Sequence, residues 1–292
     1  MLDGLNIDRV AIELPFWPYE IYWYGIIIVI GIALGVWWAA RELKKREQPP
    51  RVIDEFYNGV IIVVFAGYLF ARLTYVLFDL FGGGSYNSLV EVINIRAGGV
   101  NILGGFVGAV LTGWLYIKWR RLPFWQYADV AGPALLLAQA IGRWGNFINQ
   151  ELYGPPTERP WGILIDAPYR LLQYQDLPPD TRFHPTFLYE SVMLLIGFFL
   201  LAYLNGRYRH IWQPGTLFGF FLIWWGGNRA WIELFRPDQT TLGNTFITYS
   251  MLLAMGIALV GVYITLDRNE KKPAILQRSK HKRPAKPKPR RN

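Results

Sequence analysis

Seven times this sequence holds an apolar run long enough, or nearly long enough, to cross the hydrocarbon of a bilayer. The runs lie near Tyr22–Ala40, Phe56–Phe81, Val100–Ile117, Phe124–Ile141, Thr186–Leu204, Thr216–Trp225 and Phe246–Leu266. The sixth is short and is expected to continue through Gly226 and Gly227 towards Phe235. In hydrocarbon each backbone N–H and C=O must find its partner inside the structure, which leaves helices as the outcome for runs of this length. The expected fold is therefore an all-α polytopic membrane protein with seven transmembrane helices. Composition agrees, with 52% hydrophobic residues, thirteen tryptophans and only 17% charged residues. Tryptophan and tyrosine concentrate where helices meet headgroups. Glycines four apart (Gly31 and Gly35, Gly104 and Gly108, Gly215 and Gly219) suit close helix–helix approach.

Basic residues give the orientation. One set of loops carries Arg41, Lys44, Lys45, Arg46 and Arg51, then Lys118, Arg120 and Arg121, then Arg207 and Arg209, then the tail; the other set has arginine but no lysine. The positive-inside rule then puts the N-terminus outside and the C-terminus in the cytoplasm. The net charge of +9 sits mostly in the tail and these loops, which points to anionic lipid rather than nucleic acid. Residues 1–18 lack the basic start and apolar core of a cleavable signal, so Met1 is expected to stay attached. Three regions follow: a seven-helix membrane domain over 1–266, a small proline-punctuated outer cap at about 155–183 between helices four and five, and a basic disordered cytoplasmic tail over 267–292. Short strands are expected in the cap near Trp161–Ile165.

On this topology the polar residues collect at the outer side. Tyr24 lies near the outer end of the first span, Arg72 and Tyr75 in the outer half of the second, and Asn101 and Leu103 at the start of the third. Arg143, Asn146, Asn149 and Glu151 leave the fourth, His184 and Glu190 open the fifth, and Arg229, Glu233 and Arg236 close the sixth. Ionisable groups in hydrocarbon cost several kcal/mol, so they are expected to face one another or a polar cavity open to the outer leaflet. Arg143 and Asn146 share a helix face, as do Arg229, Glu233 and Arg236 at i, i+4 and i+7. For Arg229 and Glu233 a salt bridge is expected. Arg72 has two readings, a partner for backbone carbonyls or for a ligand. His184, just before Pro185 at a helix start, suits a structural or interface role. With no cysteine in the chain, disulfides, thiolate metal sites and an enzyme-borne thiol nucleophile are excluded. The three histidines lie far apart and show no metal-ligand spacing, and no P-loop is present, so no cofactor is expected.

The stretch Gly142 to Gly154, GRWGNFINQELYG, resembles the signature of the prolipoprotein diacylglyceryl transferase family over its whole length. The resemblance extends to Trp23, Tyr24 and Gly25, to Ala71 through Tyr75, to the glycine pairs 98–99 and 104–105, to His184, Pro185, Tyr189 and Glu190, and to Arg229 through Arg236. It implies an enzyme of the bacterial inner membrane, with its active site towards the outer leaflet. The enzyme would move the diacylglyceryl group of phosphatidylglycerol to the lipobox cysteine of a prolipoprotein signal peptide and release glycerol phosphate. Its partners would be that lipid, those signal peptides and the surrounding membrane lipids, with no nucleic acid. Carried over, the resemblance gives Arg143, Arg229, Asn146, Tyr24 and Glu151 catalytic roles. It gives Arg143, Arg72, Glu233, Gly154 and His184 substrate-side roles, with Gly154 permitting a backbone turn that a side chain would block. One position departs: where the family usually has a histidine before the second glycine pair, this chain has Leu103. Leucine cannot serve as a thiol base. The rival readings are a lipid-binding homologue without catalysis and a lipid transporter.

Overall fold

In the computed structural model, residues 8–13, 20–86, 88–93, 99–243 and 245–270 are described. Two compact units divide the chain, one of residues 1–35 with 128–292, the other of residues 36–127. The helices are α1 (Trp23–Lys45), α2 (Pro50–Phe81), the short α3 (Leu89–Ile93), α4 (Ile102–Arg120), α5 (Phe124–Ile148), α6 (Thr186–Tyr208), α7 (Thr216–Ile232) and α8 (Tyr249–Glu270). The seven long helices coincide with the seven apolar runs. Five of them, α1, α2, α4, α6 and α8, are long and apolar enough to cross a membrane, which makes this a multi-pass membrane protein. The other two are limited in different ways: α5 carries Asp129, Gln139 and Arg143, and α7 has only 17 residues.

The chain is not purely helical. β1 (Val10–Glu13) pairs antiparallel with β2 (Glu20–Tyr22), an N-terminal ladder the hydropathy pattern does not announce. Tyr22 consequently ends a strand, and α1 begins at Trp23. β3 (Ile163–Leu164) falls within the stretch where strands are expected in the cap, and it pairs antiparallel with β4 (Arg182–Phe183), which lies outside that stretch. At the other end α8 runs on to Glu270, so residues 267–270 are helical rather than tail. The expected disorder and basic character of the remaining tail concern residues 271–292, which lie outside the described residues.

Helix boundaries follow local chemistry. Pro49 and Pro50 open α2, where a missing N–H at the first helical position costs nothing. Asn101 caps α4, its side chain accepting from the Gly104 amide at 3.1 Å. Within the second unit, α4 lies against α2 through glycines. A Cβ on Gly104 would meet Thr74 Oγ1 at 2.1 Å, and one on Gly108 would meet Phe70 Cβ at 2.3 Å. At its basic end this pair is clasped by Glu55, which accepts from Tyr116 Oη and from Arg120 Nε at 3.0 Å.

Within the first unit, Gly31 and Gly35 approach the carbonyls of Ala138 and Ala134 on α5, where an added Cβ would sit 2.9 Å from each oxygen. Gly219 and Gly261 bring α7 and α8 together in the same way. Gly215, expected to pair with Gly219 in packing, does something else: at φ 104° it is the N-cap of α7. The buried carboxylate of Asp129 meets that helix start, accepting from the Gly215 amide at 3.0 Å and the Phe218 amide at 3.0 Å.

The cap has a core of its own. Tyr153, Ile163, Ile165 and Phe183 are buried together with Phe187. Arg170, also buried, donates Nε to Ile165 O, Nη1 to Leu177 O and Pro178 O, and Nη2 to Pro179 O at 2.8–3.0 Å. Proline-rich chain has carbonyls to satisfy and few N–H groups with which to satisfy them, and one guanidinium supplies the donors.

Candidate active site

The last two turns of α5 carry the first half of the site. The helix continues to Ile148, so Arg143 and Asn146 stand on it rather than beyond it. Gly145 is where Tyr24 lies on α5; a Cβ there would meet Tyr24 Cδ2 at 2.6 Å. Past Ile148 the chain reverses through Gln150 and Leu152, both in the left-handed region at φ 52° and 57°. The Glu151 amide returns to Asn146 O at 3.0 Å. The turn is thus made by non-glycine residues, and Gly154 does not make it. Gly154 has no positive φ; its importance is space, since a Cβ would stand 2.8 Å from His184 Cβ and 3.0 Å from Phe235 O.

Side chains continue the pattern. Asn146 is buried and donates Nδ2 to Glu151 Oε1 at 2.8 Å, while its Oδ1 accepts from Arg143 Nη1 at 3.4 Å. Arg143 Nη2 meets Glu190 Oε1 at 2.5 Å, and that carboxylate is only 5% exposed. Glu190 lies in the second turn of α6. Sequence reasoning placed it among the outer polar groups without giving it a task; a carboxylate inside an apolar run was the available signal. Among the described residues Arg143 Nε makes no hydrogen bond.

The second half of the site comes from α7 and α8. Arg229 Nη2 pairs with Glu233 Oε2 at 2.9 Å, as the i, i+4 spacing predicts, and donates to Ser250 Oγ at 3.2 Å. Glu233 is 3% exposed and accepts from Thr248 Oγ1 at 3.1 Å. Arg236 does not share that helical face. The α-helix stops at Ile232, a single 3-10 turn covers Glu233–Phe235, and Arg236 is extended at φ −107°. It forks onto Asp238 with two bonds of 2.8 Å, and these hold the Asp238 carboxyl below its ordinary pKa. Besides its partner Glu190, Arg143 has Arg229 and Arg236 close enough for their charges to act on it.

His184 sits at the seam between cap and α6. Its Nδ1 is 2.9 Å from the Tyr189 hydroxyl, and that hydroxyl accepts from Trp161 Nε1 at 2.7 Å. Burial, with the Arg159 charge adding to it, lowers the imidazole pKa, so the ring is neutral at pH 7. The second unit holds the other two marked positions. Arg72 is buried and donates to the carbonyls of Val92, Glu91 and Gly99 at 2.7–3.0 Å, which is the carbonyl reading of the two left open for it. Leu103 is 75% exposed in the first turn of α4.

Long apolar helices, with the part-buried Arg143 and Arg229 each paired to a buried carboxylate, define a polytopic membrane protein. The prolipoprotein diacylglyceryl transferase family model matches residues 9–266. A phosphatidylglycerol–prolipoprotein diacylglyceryl transferase of Bacillus cereus (strain G9842) is 38% identical over 265 residues, 91% of this chain and 93% of that protein. The like-named proteins of Bacillus cereus (strain Q1) and Bacillus anthracis are 39% and 38% identical over the same shares. This chain belongs to the prolipoprotein diacylglyceryl transferase family.

Proposed function

We propose that this chain transfers the diacylglyceryl group of phosphatidylglycerol to the lipobox cysteine of prolipoproteins in the bacterial inner membrane. The cysteine sulfur bonds to the glyceryl carbon as the carbon–oxygen bond to phosphate breaks. The thiol proton goes to solvent or to the departing glycerol phosphate, leaving a thioether. Negative charge grows on the leaving phosphate, and preorganised cations there lower the barrier. The observation that carries this reading is Arg143, fixed by the buried Glu190 at 2.5 Å with Nε uncommitted among the described residues.

Arg143 and Arg229 take the phosphate, and Glu233 orients Arg229. Tyr24 and Asn146 hydrogen-bond the headgroup or the thiol, while Glu151 sets Asn146. Gly154 keeps the loop and His184 in close packing beside the substrate. Arg72 contributes through the Glu91, Val92 and Gly99 carbonyls that it holds. Seven helices cross the membrane, with the N-terminus and the cap outside, the tail in the cytoplasm, and the site facing the outer leaflet. Residues up to about 266 form the catalytic domain. Without a histidine at Leu103, the substrate thiol reacts through its own thiolate population.

The test is transfer to a lipobox peptide in vesicles containing phosphatidylglycerol. A thioether-linked product with release of glycerol phosphate is expected; lipid binding without product would make the chain a non-catalytic homologue. Orientation is checked separately with an impermeant thiol reagent on intact cells. Ser85→Cys, Thr157→Cys and Thr240→Cys should label and Ser279→Cys should not, and the opposite pattern would reverse the topology.

A further inference from the structure

The N-terminal ladder takes no part in the reaction as proposed, yet the residue before it reaches three places at once. Arg9 is half-buried, just ahead of β1. Its carbonyl accepts from the Trp23 amide at 3.0 Å, where α1 begins one residue before Tyr24. Its Nη2 donates to the carbonyl of Asn149 in the loop leaving α5. Its guanidinium carbon lies 3.6 Å from the centroid of the Tyr169 ring in the cap.

Each contact has a physical reason to hold. The Asn149 carbonyl follows the C-terminal end of α5, where helix carbonyls lose their intrahelical partners and partial negative charge accumulates. The Asn149 and Glu151 amides still bond to Gly145 O and Asn146 O, but Gln150 and Leu152 take the chain through the left-handed region, so the helix does not continue to give the Asn149 carbonyl an amide. A guanidinium supplies the missing donor, and a cation lying on a tyrosine face gains electrostatic attraction from the ring. The side chain of that same Asn149 points Nδ2 at Glu151 Oε1, 3.4 Å away, and Glu151 in turn accepts from Asn146.

We propose that Arg9 is a positioning residue for the transfer reaction: it fixes the start of α1, and so Tyr24, against the Asn146–Glu151 loop while anchoring the cap through Tyr169. The proposal rests on the function proposed above. It touches neither substrate, so its loss acts on turnover through the geometry of Tyr24, Asn146 and Glu151. Phosphatidylglycerol binding, which depends on Arg143 and Arg229, stays as it was.

The experiment compares the full-length chain with Arg9→Ala, Arg9→Lys, Tyr169→Leu and the Arg9→Ala/Tyr169→Leu double variant. Turnover of a lipobox peptide in phosphatidylglycerol vesicles, retention of that lipid by native mass spectrometry, and hydrogen exchange of the Gln150–Gly154 amides are measured. Arg9→Ala is expected to lower kcat about tenfold, the scale of losing a charge-assisted hydrogen bond, with lipid retention unchanged and loop exchange faster. Arg9→Lys should recover most of the rate, because an ammonium can bond the same carbonyl and lie on the same ring. The double variant should be no slower than Arg9→Ala alone, since both changes break one clamp. Wild-type kcat and exchange in folded Arg9→Ala would overturn the proposal, as would a loss confined to lipid binding. If Arg9→Ala does not fold, Tyr169→Leu decides: unchanged kcat and loop exchange there would refute the clamp. Absence of transfer by the wild-type chain would refute the proposed function instead, and the exchange measurement would still report whether the clamp exists.

Discussion

This chain uses arginine in two ways, with Arg72 and Arg170 buried and Arg143 and Arg229 part-buried. Arg72 and Arg170 give their donors to backbone carbonyls, three for Arg72 and four for Arg170. Arg143 and Arg229 each face a buried carboxylate, Glu190 and Glu233, and bond otherwise to Asn146 and Ser250. The first arrangement uses the guanidinium as a staple, holding irregular backbone that would otherwise lack donors. The second offsets the charge, fixes the direction of the fork, and leaves N–H groups for something else. A carboxylate beside an arginine therefore does not mark it as spent. It holds the guanidinium in one direction, as the proposed role on a phosphate that gains charge requires.

The largest effect separating the two kinds should come from Arg143→Ala. Transfer should fall by roughly a hundredfold or more, matching the ~3 kcal/mol lost when a charged or hydrogen-bonding stabiliser is removed from a transition state. The thermal midpoint should fall as well, because Glu190 is left buried without its partner, and wild-type turnover in the folded variant would remove Arg143 from the chemistry. Arg170→Ala should lower stability while sparing the chemistry of transfer. Leaving its carbonyls buried and unpaired costs about 1–3 kcal/mol each, so the cap should open to limited proteolysis between Trp161 and Thr181. An intact cap would show that the prolines alone hold it.

Glu190→Gln keeps the shape but removes the charge facing Arg143, and should slow turnover about tenfold with lipid still bound. A smaller effect is expected at Leu103. Thiols ionise near pH 8.5, so activity should climb between about pH 7 and 9 with the thiolate population. Leu103→His should raise the rate near neutrality and flatten that rise; a flat wild-type profile would mean a base elsewhere, Glu151 first. Smallest is the Arg236–Asp238 pair. Asp238 has a depressed carboxyl pKa in the folded chain, so its contribution is complete above the ordinary carboxylate value of about 3.9 and disappears as the pH falls through the folded value. Asp238→Asn should remove that part of the acid loss of stability, about 1 kcal/mol or less for a partly exposed pair.

Hydropathy made the helices legible because the bilayer leaves the backbone few alternatives, and every long helix coincides with an apolar run. The N-terminal ladder stayed hidden because Val10–Glu13 and Glu20–Tyr22 are too short for their alternation to register against the neighbouring apolar run. The i, i+4 pairing of Arg229 with Glu233 could be read because both partners lie on one helix. Arg143 with Glu190 could not, since the partners are far apart in sequence and meet only when α5 and α6 pack. Arg236 was misplaced for a different reason: periodicity assumed a helix that the chain abandons at Ile232. Gly154 looked like a turn glycine, but its neighbours rather than its φ exclude a side chain. Arg9 and Arg170 were legible in neither position nor pattern, because an arginine outside the apolar runs has no reason, on sequence alone, to be anything but solvated.

The most direct measurement replaces one arginine of each kind by lysine and records turnover and thermal midpoint together. Arg143→Lys keeps the charge but loses the planar fork, so transfer should stay impaired while the midpoint holds. Arg170→Lys cannot reach four carbonyls with three rotating donors, so the midpoint should fall while transfer by the protein still folded continues. If Arg143→Lys instead loses stability at full turnover, or Arg170→Lys loses turnover at full stability, the division between arginines that react and arginines that hold is wrong.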